Sequence, residues 1–137
     1  MRRITITCAL SILTLSVSGC GKSKSLSDDE LRSELKTLGS VASEAVMFSR
    51  QVQEDRVTRT FASAHFRYLR DQADEDLQTL AKAQSSNGHE TVLQEARMEA
   101  SALREELTKL SDAPAGNAVD RMDEIQHKSK SLEDSLR

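Results

Sequence analysis

Apolar residues recur along most of this chain at alternating spacings of four and three, which places one apolar stripe on each helix they build. Leu31, Leu35, Leu38, Ala42, Ala45, Ser49 and Val52 form the first such seam. Leu93, Ala96, Ala100, Leu103, Leu107 and Leu110 form another, and Ala118, Met122, Ile125, Ser129, Leu132 and Leu136 a third. Between them Ala62, Phe66, Leu69, Ala73, Leu77 and Leu80 make a less tidy stripe, with Phe61, His65 and Tyr68 on an adjoining face. The spacing predicts helices over about 28–54, 59–84, 88–111 and 117–136.

Start and stop signals sharpen these bounds. Ser27 with Glu30 reads as a capping box, Asn87 with Glu90 has the same form, and Asn117 has Asp120 in the corresponding place. Ser85-Ser86-Asn87-Gly88 and Ala113-Pro114-Ala115-Gly116 are turn signals between the later helices. The break between the first two helices carries neither Gly nor Pro. Extending the first seam would set Arg56, Arg59 and Ser63 against the core, so a turn near Asp55 to Thr60 is expected, capped by Thr58 or Thr60. One long helix is the alternative.

Helices of this length joined by short loops are expected to pack as sequential neighbours. The fold class is therefore all-α, an up-down-up-down antiparallel four-helix bundle over about 28–137. Its seams are rich in Ala and Ser, which implies a thin core.

The remaining apolar run has a different character. Arg2 and Arg3 precede an apolar stretch from Ile4 to Val17, too short to span a bilayer core of ~30 Å as a permanent anchor. It closes on Leu15-Ser16-Val17-Ser18-Gly19-Cys20. This resembles the lipobox of bacterial lipoprotein precursors, with an aliphatic residue three before Cys and small residues between. The resemblance covers residues 1–21 only. It implies cleavage between Gly19 and Cys20, removing 1–19 as a signal peptide, and diacylglycerol on the Cys20 thiol. It also implies a lipid-anchored location facing the periplasm. Gly21, where an aspartate would signal inner-membrane retention, points within that family to the outer membrane. An ordinary secretory signal with a chance cysteine, or an uncleaved helix, are the alternatives. Residues 20–27 then read as the lipidated cysteine and a flexible tether.

Composition narrows the function. The 137 residues hold 19 Lys and Arg against 22 Asp and Glu. Loss of 1–19 takes Arg2 and Arg3 with it and leaves a net charge of −5, which argues against a nucleic-acid partner. Of the two cysteines, Cys8 would leave with the leader, so the exported monomer can form no internal disulfide.

No cofactor or metal site is expected. Covalent haem needs Cys-x-x-Cys-His, which does not occur. A di-iron centre needs two Glu-x-x-His pairs, and the one present, Glu124 with His127, faces solvent if Met122 and Ile125 lie on the seam. A noncovalent haem held by Met47 and His127 fails on the same orientation. Neither Gly-x-Ser-x-Gly, a P-loop nor His-Glu-x-x-His occurs, so the chain is read as no enzyme.

The least ordinary stretch is Arg50 to Arg70, where arginines alternate with aromatics before a run of acids. Arg56, Arg59, His65 and Tyr68 are its candidate contact residues for an envelope protein partner. The competing expectation is that the aromatics plug the bundle end, with Tyr68 mostly in the core, while the arginines pair with carboxylates one helical turn away. The expected function is that of a membrane-anchored envelope lipoprotein with a non-catalytic binding or structural role. A ligand- or metal-binding chaperone or sensor is one alternative. An oligomeric coiled-coil spacer like the major outer-membrane lipoprotein is another, although this chain ends in Leu136-Arg137 where that protein has its linking lysine. The oligomeric state is left open.

Overall fold

A computed structural model describes residues 24–114 and 118–137 of the chain. The leader, Cys20 and the expected cap at Asn117 lie outside the described residues. Among the described residues the protein is all-α apart from one pair of three-residue strands. In order it runs β1 (Lys24–Leu26), α1 (Asp28–Gln53), α2 (Arg59–Lys82), β2 (Ala83–Ser85), α3 (Glu90–Asp112) and α4 (Val119–Asp134).

The seams read from spacing become the core. Leu31, Leu35, Leu38, Ala42, Ala45 and Ser49 of α1 are buried, and so is every seam residue of α3. Met122, Ile125, Ser129 and Leu132 are buried on α4, as are Ala62, Phe66, Leu69, Ala73 and Leu80 on α2. All the apolar ones belong to a single cluster. Small residues on these stripes let the helices approach closely. At Gly39 an added Cβ would stand 3.8 Å from the Ser129 side chain, ordinary contact distance.

The start of α1 is built as its sequence predicts. Ser27 accepts a hydrogen bond from the Glu30 backbone N–H at 3.3 Å, and the Glu30 carboxylate accepts one from the Ser27 N–H at 2.9 Å. That backbone bond, with Lys24 beside it, holds the Glu30 carboxyl down to about 2.

The end of α1 explains why no Gly or Pro announces it. Asp55 takes a left-handed φ of 54°. Arg56 N–H reaches back to the Gln51 carbonyl at 3.0 Å and Asp55 N–H to Val52 at 3.1 Å, the paired bonds of a Schellman motif. A short polar Asp tolerates that conformation better than most side chains, though less well than Gly. Thr58 then caps α2, accepting from Phe61 N–H. The first two helices are separate.

Three expectations need correction near the other end. Lys24 to Leu26 is no part of a free tether: it is a strand paired in parallel with Ala83 to Ser85, Leu26 opposite Ser85. Leu26 is buried and its carbonyl accepts from both the N–H and the hydroxyl of Ser86. The physical reason is that an apolar side chain beside an open core edge gains more from burial than the tether gains from freedom. The same pairing ends α2 at Lys82, short of the expected 84. Asn87 is not the cap of α3 either. Its side-chain amide donates to Asp28 at 3.0 Å, and His89 occupies the cap position without a side-chain hydrogen bond.

The most extensive helix contacts are those of α2 with α3 and α1 with α4. Arg97 of α3 donates to the carbonyls of Leu80 at 2.9 Å and Ala83 at 2.7 Å, giving partners to carbonyls at the C-terminal end of α2. Further along, Arg104 meets Asp74 at 3.4 Å. On the other pair, Arg32 donates to the Leu136 carbonyl and Lys36 lies 3.8 Å from Glu133. The buried Glu99 of α3 is met by Lys128 of α4 at 2.8 Å.

Candidate functional site

The face shared by α1 and α2 collects the aromatic side chains. Phe48 of α1 is buried and stands at their centre. Its ring centroid lies 4.2 Å from that of His65, 5.2 Å from Phe66 and 5.9 Å from Phe61, the two phenyl contacts edge-on. Phe66 points into the core, whereas Phe61 and Tyr68 are 57% and 56% exposed. His65 bridges the two groups, with ring centroids 6.2 Å from both Phe61 and Tyr68. Its Nε2 stands 3.1 Å from Glu44 Oε1, and the Tyr68 hydroxyl accepts from Gln72 at 2.8 Å.

Below the rings the same interhelical face opens into a groove of about 320 Å³ lined by Thr37, Ser40, Glu44, Gln72, Glu75 and Asp76, with Val41 at its floor. No lysine or arginine lines it. One Asp76 carboxylate oxygen is buried and has no hydrogen-bond partner among the described residues. Burial first, then the nearby Glu34 and Glu75 carboxylates, push the Asp76 carboxyl up to about 6. Burial also raises that of Glu34. The face is therefore apolar and aromatic at one end and acidic at the other.

The expected contact residues do not all meet here. His65 and Tyr68 share the aromatic face. Arg56 sits in the α1–α2 turn, paired with Glu54 at 2.7 Å. Arg59 lines a separate recess with Ser63, Asp112 and Pro114, on the flank of α2 that faces α3. Tyr68 is also not mostly in the core. With 3.6 residues per turn it points roughly 100–160° away from Ala62, Phe66 and Leu69, too far round to reach the interior. The aromatics thus divide, Phe48 and Phe66 inside, Phe61 and Tyr68 outside. Nor do the arginines pair one turn away: Arg70 is held by its neighbour Asp71 at 2.6 Å.

Glu44 and Phe48 precede the Arg50 to Arg70 stretch that the residue types single out. Their i, i+4 spacing on one flank of α1 was the available signal. Asp76 was visible only as part of the run of acids after Arg70, because its burial beside Glu34 depends on α1. Elsewhere, Glu124 and His127 lie on the outer face of α4, beside Arg121 and Asp123. Among the described residues no group of three His, Cys, Asp or Glu side chains converges on a point that could hold a metal ion. No described helix is long and apolar enough to cross a membrane. In comparisons with protein-family models, curated proteins and solved structures, the chain matches none.

Proposed function

We propose that the protein is a lipoprotein of the bacterial cell envelope, held to a membrane by diacylglycerol on Cys20, whose folded part is a non-catalytic binding module. The observation that carries the address is the register of the leader: basic residues, an apolar run, then Leu15-Ser16-Val17-Ser18-Gly19 directly before Cys20. Two or more acyl chains there would anchor the chain stably, where one would not. The folded part is read as an antiparallel four-helix bundle. Pairs running in opposite order along partner helices support this direction, Arg32 with Leu136 and Lys36 with Glu133 on one pair, Arg97 with Ala83 and Arg104 with Asp74 on the other.

Anchoring at Cys20 would leave the module little freedom. The four residues from Cys20 to Lys24 reach at most about 14 Å, so β1 would stay close to the bilayer surface. Helix α1, with 26 residues, spans about 39 Å from there. The exposed Phe61 and Tyr68 rings lie towards the end of the fold opposite β1, up to that distance from the anchor and within reach of another component of the envelope. This supports a binding role and an outward-facing contact that includes His65 and Tyr68.

The test is metabolic labelling with palmitate. Wild-type chain should take up label and migrate as the processed form, while Cys20→Ser should accumulate as unlabelled precursor. A Cys20→Ser chain cleaved at the same bond and still labelled removes the lipid-anchor reading.

A further inference from the structure

The exposed rings and the acidic groove form one continuous face on α2, from Phe61 through His65, Tyr68 and Gln72 to Asp76. Those 16 residues of helix cover about 22 Å, more than a small amine or a single sugar can occupy. The side chains offered along it are ring faces followed by carboxylates. Ring faces attract both apolar groups and cations, and carboxylates favour cations alone. The groove lining supplies Glu44, Glu75 and Asp76 without a compensating lysine or arginine. Like charges gathered this way raise the cost of leaving the site empty, a cost that an incoming cation relieves.

We propose that this α1–α2 face docks a cationic amphipathic peptide segment, with its apolar side chains on Phe61 and Tyr68 and its lysines or arginines along Glu44, Glu75 and Asp76. The proposal rests on the binding role proposed above and not on the lipid anchor. Charge decides against the other occupants. Anionic lipid headgroups would meet the carboxylates. A second copy presenting the same face brings rings and acids but no cations to it.

The probe is a fluorescein-labelled synthetic peptide of leucine and lysine patterned as an amphipathic helix, with a leucine–glutamate peptide of the same pattern as its counterpart. The full lipidated chain is held in phosphatidylcholine nanodiscs, with empty nanodiscs as the blank, and binding is read by anisotropy. The leucine–lysine peptide should bind. The pair Phe61→Ser with Tyr68→Ser, and the pair Glu44→Gln with Glu75→Gln, should each weaken it about tenfold or more. Tyr68→Phe should keep it, since the ring remains. Glu105→Gln with Asp120→Asn, on α3 and α4, should change it less than about twofold.

Equal weakening by the remote pair would mean attraction to overall negative charge and would overturn the proposal, as would unchanged binding by the aromatic pair. Binding of the chain to phosphatidylglycerol vesicles, or self-association in sedimentation, abolished in either case by the aromatic pair, would assign the face to a membrane or to a second copy instead. Preference for the leucine–glutamate peptide would keep the binding role and remove this partner. Palmitate labelling reads the anchor separately from all of these. Phe61 and Tyr68 are more than half exposed, so thermal melts of their variants should match the parent and exclude misfolding as the cause.

Discussion

Glu44 Oε1 stands 3.1 Å from His65 Nε2, and this contact joins α1 to α2 at the level where Phe48 lies against the imidazole ring. On one side of His65 the rings are packed, and on the other they are open to solvent. The division makes energetic predictions that separate packing from display.

Tyr68→Ala should change stability by no more than about 0.5 kcal/mol, because most of the ring is already in water. Phe66→Ala should cost about 3–5 kcal/mol, since that ring is fully buried between Phe48 and the core. Urea unfolding of the two variants checks the pair. A large loss for Tyr68→Ala would mean that the ring is packed after all.

Asp55→Gly should stabilise the protein. Asp55 holds a left-handed φ at the end of α1, where Gly carries no side-chain penalty. The extra freedom of Gly in the unfolded chain offsets part of the gain, leaving about 0.5 kcal/mol. The reading is the midpoint of urea unfolding, and a destabilised Asp55→Gly would show that the Asp side chain itself holds the turn.

Asp76 makes stability depend on pH in a stated direction. Its carboxyl is raised to about 6 in the folded chain against an ordinary 3.8. The folded state therefore binds the proton more tightly than the unfolded state. The resulting stabilisation is complete below about pH 4 and is lost as pH rises through 6. Asp76→Asn removes the charge, so the variant should be more stable than the parent at pH 8. The gain should be about 1 kcal/mol once solvent screening of this partly exposed group is allowed for, and it should vanish near pH 4. Urea melts at pH 4, 6 and 8 test this, and an advantage of the same size at all three would assign it to something other than titration.

Leu26→Ala should loosen the end of the fold that carries β1. It removes a buried side chain from β1 and should cost about 2–3 kcal/mol. Backbone amides around Ser86, whose N–H bonds to the Leu26 carbonyl, should lose protection from hydrogen exchange. Unchanged exchange there would mean that β1 contributes little to holding the α2–α3 connection.

The helices were legible in the sequence because a 3.6-residue period writes the buried stripe directly into the spacing of Leu and Ala. Every seam residue of α3 is in the core for that reason. Ser27 with Glu30 was legible too, since a capping box is a contact within four consecutive residues. Asn87 with Glu90 has the same local form, yet Asn87 instead bonds Asp28, 59 residues away. Local pattern cannot see a competing partner from another part of the chain. The β1–β2 pair was hidden likewise: three residues have too little periodicity, and their hydrogen bonds exist only once α1 and α2 are folded beside each other.

The candidate site divides along the same line. The residue types at Arg50 to Arg70 marked this end of the molecule, and their types alone suggested a contact surface. Which of them meet depended on the rotation of α2 about its axis. That rotation sends Arg59 towards α3 and His65 and Tyr68 towards α1, where Glu44 and Phe48 complete the face. Helix existence is a property of neighbours along the chain. The composition of a face between two helices is a property of packing, in which burial of Phe48 and Phe66 outweighs the preferences of the polar residues around them.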